Sequence, residues 1–229
     1  MTALDQLSRM PPPVPPQPSA LLEAELAKLA PVAVRRPVRQ LTLLLGISLI
    51  YGGGVFAMLN TRRDLAELPA IWVVGAGLAW LLGFVAPVYL ATVPPAGGVI
   101  PRWQLAGTAS VIGSLGFIAL GLTIHPHAPS SVALDWAHFG RGTSCLKFGL
   151  ATAIVPVVVG AVFLRGALPV GSRWVAAALG AGGGSLGGLM LHLHCPISDG
   201  LHVGLIHGGV VGVAALVAAA LVPRMTDVR

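Results

Sequence analysis

Residues 174–194 read WVAAALGAGGGSLGGLMLHLH. The stretch carries no Asp, Glu, Lys or Arg and is long enough to cross a hydrocarbon core as a helix, which takes about 20 residues. Its composition says how such a helix would be used. Gly180, Gly184 and Gly188 recur every four residues, and Gly183 and Gly187 make a second register beside them. In lipid the hydrophobic drive between helices is missing, so small residues that let backbones approach closely take over. The stretch 202–222 repeats the device with Gly204, Gly208 and Gly212. The two segments read as consecutive membrane spans packed against each other.

Four more stretches of similar length and apolarity precede them, at 41–60, 71–93, 104–123 and 145–164. None of the six has an acidic residue in its interior. Lys147 stands at the start of the fourth, where it can snorkel to the surface. Pro87 and Pro156 interrupt the second and fourth spans and predict kinks, which bundles tolerate when neighbours satisfy the freed carbonyls. Composition agrees with the spans. Of 229 residues, 55% are apolar and 10% charged, against about a quarter charged in a soluble domain. The mean hydropathy is +0.84. An ordinary soluble enzyme is excluded, and so is a disordered chain, which would be poor in apolar residues. The fold class is all-α, a polytopic membrane protein with six transmembrane helices. Its expected parts are a tail at 1–40, a six-helix domain at 41–222 and a short end at 223–229.

The net charge of +6 orients the chain rather than binding nucleic acid. Arg35, Arg36, Arg39, Arg102, Arg165, Arg173, Arg224 and Arg229 fall on one side of the spans; the other has Arg62, Arg63, Arg141 and Lys147. The positive-inside rule then places both termini in the cytoplasm and the loops at 60–70, 124–144 and 195–201 opposite. No signal peptide is read in the first 30 residues, so the first span is expected to serve as an uncleaved signal.

The tail differs in composition from the rest of the chain. PPPVPPQP at 11–18 reads as extended polyproline, a stiff spacer or an SH3-type ligand, with the spacer the simpler reading. Ser19 can cap a helix that runs to Pro31, with Glu23 and Glu25 early and Lys28 late. Leu22, Leu26 and Leu29 line one face, with Leu21 beside them. So short a helix is marginal alone in water. Its leucines need a membrane, the bundle or a groove on a cytosolic protein. Arg35, Arg36 and Arg39 would then meet anionic headgroups or acidic groups of that partner.

All seven histidines (His125, His127, His138, His192, His194, His202 and His207) and both cysteines, Cys145 and Cys195, fall on the half opposite the basic side. The densest run is His192-Leu-His194-Cys195-Pro-Ile-Ser-Asp199-Gly-Leu-His202, followed by His207. Three readings stay open. In the first, the histidines are interfacial groups bonded to backbone or headgroups and nothing more.

In the second, a transition metal or haem is held by His192, His194, Cys195, His202 and His207, since imidazole with thiolate suits zinc, copper or iron. In the third, Cys145 and Cys195 form a redox-responsive pair tuned by His192, His194 and His202, in a compartment where a disulfide persists. The chain has no CxxC, GxSxG, HExxH or P-loop and no acid within its spans, so neither an enzyme nor a proton-coupled transporter is expected.

The whole resembles a known family. Ala-Pro-Val-Ala-Val-Arg-Arg-Pro-Val-Arg39 leads into six spans, and Gly142-Thr-Ser-Cys145-Leu opens the fourth. Leu-Arg-Gly-Ala-Leu-Pro169 comes after that span, and the Gly-rich fifth runs into Leu-His194-Cys195-Pro196. The pattern is similar to the NrsF-like bacterial membrane anti-sigma factors and their CarR-type relatives.

The resemblance implies a protein of the inner membrane, acting in a stress response, that holds an extracytoplasmic-function sigma factor and frees it on a redox, metal, light or singlet-oxygen signal. It further implies that Cys145 and Cys195 sense the signal and that Leu21–Arg39 contacts the sigma factor. The Pro-rich head is longer than the family pattern, and His202 and His207 stand where aromatic residues are expected. The competing function is a small metal-ion or haem-handling transporter or oxidoreductase built on the His/Cys cluster.

Overall fold

The computed structural model describes residues 19–28, 35–95, 97, 100–124, 126, 140, 142–165 and 172–226. They form α1 (Ala20–Lys28), α2 (Pro37–Met58), α3 (Ala70–Thr92), α4 (Arg102–Thr123), α5 (Gly142–Phe163), α6 (Ser172–His194) and α7 (Gly209–Thr226). A π-helical segment, His202–Gly208, runs directly into α7. Strands are absent among the described residues. With the π segment and α7 counted as one span, six helices are long and apolar enough to cross a membrane. The all-helical, six-span expectation is borne out, with span edges moved by a few residues. Pro87 and Pro156 lie inside uninterrupted helices.

The chain divides into two units, residues 1–35 and 36–229. In the first, the Ser19 hydroxyl accepts a hydrogen bond from the Leu22 amide at 3.2 Å, the N-cap arrangement. Lys28 pairs with Glu25 at 2.7 Å in full solvent, which adds little. Leu21, Leu22 and Leu26 are exposed, and α1 buries no residue. Leu29 and the Pro-rich run at 11–18 lie outside the described residues.

In the second unit α6 is the centre. It packs against every other span, and the remaining five close a ring around it in the order α2, α3, α4, α7, α5. Nearly all of α6 is buried, whereas the outer spans turn much of their surface to lipid. This explains why α6 is the least apolar span: a helix that meets no lipid needs small residues for close approach, not large ones for solvation. A methyl added at Gly180 would lie 2.2 Å from the Ala214 carbonyl oxygen, and one at Gly184 2.7 Å from the Val211 Cα, both on α7.

At Gly187 the methyl would lie 2.3 Å from the Gly149 carbonyl of α5, and at Gly188 it would strike the Trp80 ring of α3. The row in the last span faces differently. Gly204 and Gly208 press on Leu122 and Ile118 of α4, and Gly212 looks toward Ser114 of α4. The α6–α7 seam therefore rests on the α6 glycines, while the second row seats α4.

Four of the buried hydroxyls inside the bundle are satisfied within their own helices, while that of Ser48 has no hydrogen-bond partner among the described residues. Thr92, Ser110, Thr152 and Ser185 each donate to the carbonyl four residues back, at 2.8–2.9 Å. Such bonds let polar side chains sit at membrane depth. Six spans alternate direction, so residue 36 and the end of α7 share one face. Arg165, after α5, reaches the Met225 carbonyl at 3.4 Å on that face.

Candidate functional site

The site forms on the opposite face, where α5 begins and α6 ends. Two glycines let the start of α5 lie against the last span: a methyl at Gly142 would come within 2.5 Å of Ile206, and one at Gly149 within 2.7 Å of Val210. Between them stands Cys145. Cys195 comes directly after α6; its amide still donates to the Leu191 carbonyl at 2.8 Å, and Pro196 ends the helix because it has no amide to offer. Asp199 then caps the next helix, its Oδ1 accepting from the His202 amide at 2.9 Å.

The π segment supplies the other two members. In an α-helix, residues five apart differ by about 140° around the axis. In a π-helix the repeating bond joins i and i+5, which stacks them. His202 and His207 are five apart. Their rings meet edge to face with centroids 4.9 Å apart.

The result is a four-residue cluster. The Cys145 thiol donates toward the Cys195 Sγ at 3.7 Å, and the Cys195 Sγ lies 3.4 Å from His202 Nε2. One ligand atom from each of Cys145, Cys195, His202 and His207 lies within 4.8 Å of all the others. Both cysteines are free thiols. Cys195, His202 and His207 are buried and Cys145 is half-buried. The hydrogen bond from Cys145 holds the Cys195 thiol well below its ordinary range, and the His202 and His207 imidazoles act the same way against the opposing effect of burial. Cys195 is thus the sulfur prepared to be a thiolate, the form that reacts and ligates.

His192 and His194 are placed elsewhere. His192 Nε2 bonds the Val73 carbonyl at 3.0 Å and its ring leans on Trp72 at 4.7 Å. His194 Nδ1 bonds the Asn60 carbonyl, and its ring meets Phe148 edge-on at 6.5 Å. Both tie α6 to the start of α3 and the chain before it. His125, His127 and His138 lie outside the described residues. Of the remaining sequence candidates, Arg36 and Arg39 are exposed and Arg35 half-buried.

Beside the cluster is a residue the sequence did not mark. The Arg62 guanidinium, its side chain 2% exposed, grips Asp64 with two hydrogen bonds at 2.8 and 2.7 Å. It also donates to the Ser198 hydroxyl at 2.8 Å and the Pro196 carbonyl at 3.4 Å. Its own amide donates to the Leu193 carbonyl at 3.1 Å, and its charge lies 5.7 Å from the Trp72 ring centre. One arginine therefore fastens the loop after α2 to the segment that carries Cys195. The only hint in the sequence was Arg-Arg-Asp at 62–64, an arginine with its counter-ion on the side otherwise poor in basic residues.

The sequence matches the family described as NrsF, negative regulator of sigma F, over residues 26–227. The match takes in all six spans, the four-residue cluster, Leu26, Leu29 and Arg35–Arg39, and begins after Leu21 and Leu22. No curated protein and no solved structure matches the chain.

Proposed function

The chain belongs to the NrsF family of negative regulators of a sigma factor, and on that premise we propose that it is a membrane-bound anti-sigma factor, not an enzyme, that holds an extracytoplasmic-function sigma factor through its N-terminal segment. The observation that carries the partner reading is α1, a capped helix with Leu21, Leu22 and Leu26 all exposed. A leucine stripe left in water at this length needs an apolar surface to be stable, and a groove on a partner supplies one. Arg35, Arg36 and Arg39 add charge for an acidic rim. The sigma factor, not this chain, meets nucleic acid.

In this reading the basic face is cytoplasmic and the membrane is the bacterial inner membrane. Charge bias supports it: Arg36, Arg39, Arg102, Arg165, Arg173 and Arg224 share one face, while on the other Arg62 is neutralised by Asp64. The signal then arrives at Cys145 and Cys195 from outside, as oxidation or metal capture, and alters how α5 packs on α6 and α7. A metal or haem transporter is the weaker reading. It needs ligands continuing through the bilayer, and the buried hydroxyls at Thr92, Ser110, Thr152 and Ser185 bond their own helices.

The test is co-purification of the full-length protein in detergent with the extracytoplasmic-function sigma factors of its source cell. Wild type is expected to retain one sigma factor, and Leu22→Asp with Leu26→Asp to lose it while the helical spectrum is unchanged. Retention of none by wild type, or undiminished retention by the double variant, overturns the reading.

A further inference from the structure

We propose that Cys145, Cys195, His202 and His207 form a four-coordinate site for a thiophilic divalent cation of the zinc class. The proposal names the chemistry of the sensing pair and takes its regulatory meaning from the proposed function. The binding itself is measurable without any sigma factor.

Three observations carry it. The first is spacing. A tetrahedral ion with bonds of about 2.3 Å to sulfur and about 2.05 Å to nitrogen sets an S···S edge of about 3.8 Å and an S···N edge of about 3.5 Å. The cluster has 3.7 Å between its sulfurs and 3.4 Å from Cys195 Sγ to His202 Nε2. A disulfide needs about 2.05 Å, so these sulfurs stand at the distance of two ligands rather than of a bond.

The second is an unsatisfied group: Nε2 of His207, a buried residue, has no hydrogen-bond partner among the described residues. Such a group costs free energy, and the His207 ring offers one nitrogen within 4.8 Å of both sulfurs and of the His202 ligand atom. The third is the backbone. The π segment brings His202 and His207 together, and widened turns of this kind are frequent at functional sites.

Charge selects the ion. Two thiolates and two neutral imidazoles around a divalent cation sum to zero, which suits a buried site; a monovalent ion would leave an uncompensated negative charge. Mixed sulfur and imidazole ligands favour zinc-class ions over magnesium or calcium, which take oxygen. Both sulfurs ligate as thiolates, so binding displaces whatever thiol protons remain and releases them to solvent.

The experiment uses the reduced full-length protein in detergent, titrated with Co²⁺ as a visible probe and then with Zn²⁺. One cobalt per chain is expected, with tetrahedral visible bands and a thiolate-to-metal charge-transfer band, both erased by one equivalent of Zn²⁺. Cys195→Ser should abolish the charge-transfer band or halve it, and His207→Asn should weaken affinity by about tenfold or more. His192→Asn and His194→Asn should bind as wild type does.

Absence of a charge-transfer band in reduced wild type overturns the site without recourse to any variant. Wild-type affinity in His207→Asn overturns the four-residue set. Loss of binding in His192→Asn or His194→Asn, with helical content intact, does so as well. Sigma-factor capture is read separately: capture that is absent both with and without cobalt, or identical in the two, in a protein that binds cobalt refutes the regulatory reading alone, and capture without cobalt binding refutes the site alone.

Discussion

Arg62 holds more of the site together than any other single side chain. A lysine could keep the charge but not the fork that spans Asp64, Ser198 and the Pro196 carbonyl. Arg62→Met leaves Asp64 without its counter-ion and the Cys195 segment without its tie. Breaking a fully buried pair costs about 3–5 kcal/mol; Asp64 is 30% exposed, so a loss of about 1–3 kcal/mol is expected once solvent screening is allowed for. Thermal unfolding in detergent would read it as a lowered midpoint, with Arg62→Lys recovering only part. An unchanged midpoint in Arg62→Met would mean the 195–201 segment is held by Asp199 and α6 alone. The sequence concealed this role because Ser198 and Pro196 stand 136 and 134 residues away, and a local reading saw only an exception to a charge rule.

At the scale of helices, close approach decides which substitutions are tolerated. Gly180→Ala sets a methyl 2.2 Å from a backbone oxygen and 2.7 Å from the Ala215 Cα. Backbone cannot turn aside as a side chain can, so α6 and α7 must separate. Overpacking of this kind costs about 1–3 kcal/mol. Gly53→Ala on α2 meets nothing within 4 Å and is expected to be neutral or slightly stabilising, since alanine is the better helix former. Parallel melting curves check the pair, and equal midpoints would remove the glycine seam as a determinant.

The spans were legible because length and apolarity alone define a bilayer helix, and the α6 glycines because their period is regular. The site was only half legible. By sequence His192 stands among the ligands and tuning groups of Cys195, yet His192 turns to Val73 and Trp72. His202 and His207 are grouped by sequence as well, but residues five apart lie about 140° apart on an α-helix, and it is the π segment that brings their rings together. Nothing in HVGLIHG announces a wider turn; in the fold its Gly204 and Gly208 sit directly against α4.

For the whole molecule the question is what a signal at one face can do at the other. Moving a two-state protein from 1:99 to 99:1 takes about 5.5 kcal/mol of differential stabilisation. The ring of spans closed on α6 by backbone contacts favours discrete packings over gradual deformation. Cys145 belongs to α5 and Cys195 to the end of α6, so a bond or a shared ion between them fixes one helix against the other. A disulfide contributes typically about 2–4 kcal/mol, and a structural zinc site can contribute more, so the energy available is of the required order.

The far end of α5 runs to Arg165, which reaches the Met225 carbonyl near the end of α7; a shift of α5 therefore arrives on the basic face, the one where the chain enters α2. Cys145→Ser with Cys195→Ser removes the linkage while leaving the leucine face of α1 and the glycine seams intact. That variant should still bind the sigma factor in detergent if the unlinked packing is the holding state, and fail to bind it if the linked packing is. In either case a transcriptional reporter for that sigma factor should lose its response to oxidant and to zinc-class metal, its induction ratio falling to about one because no differential stabilisation remains to shift the two states. Induction equal to wild type would show that the signal enters somewhere other than the cysteines.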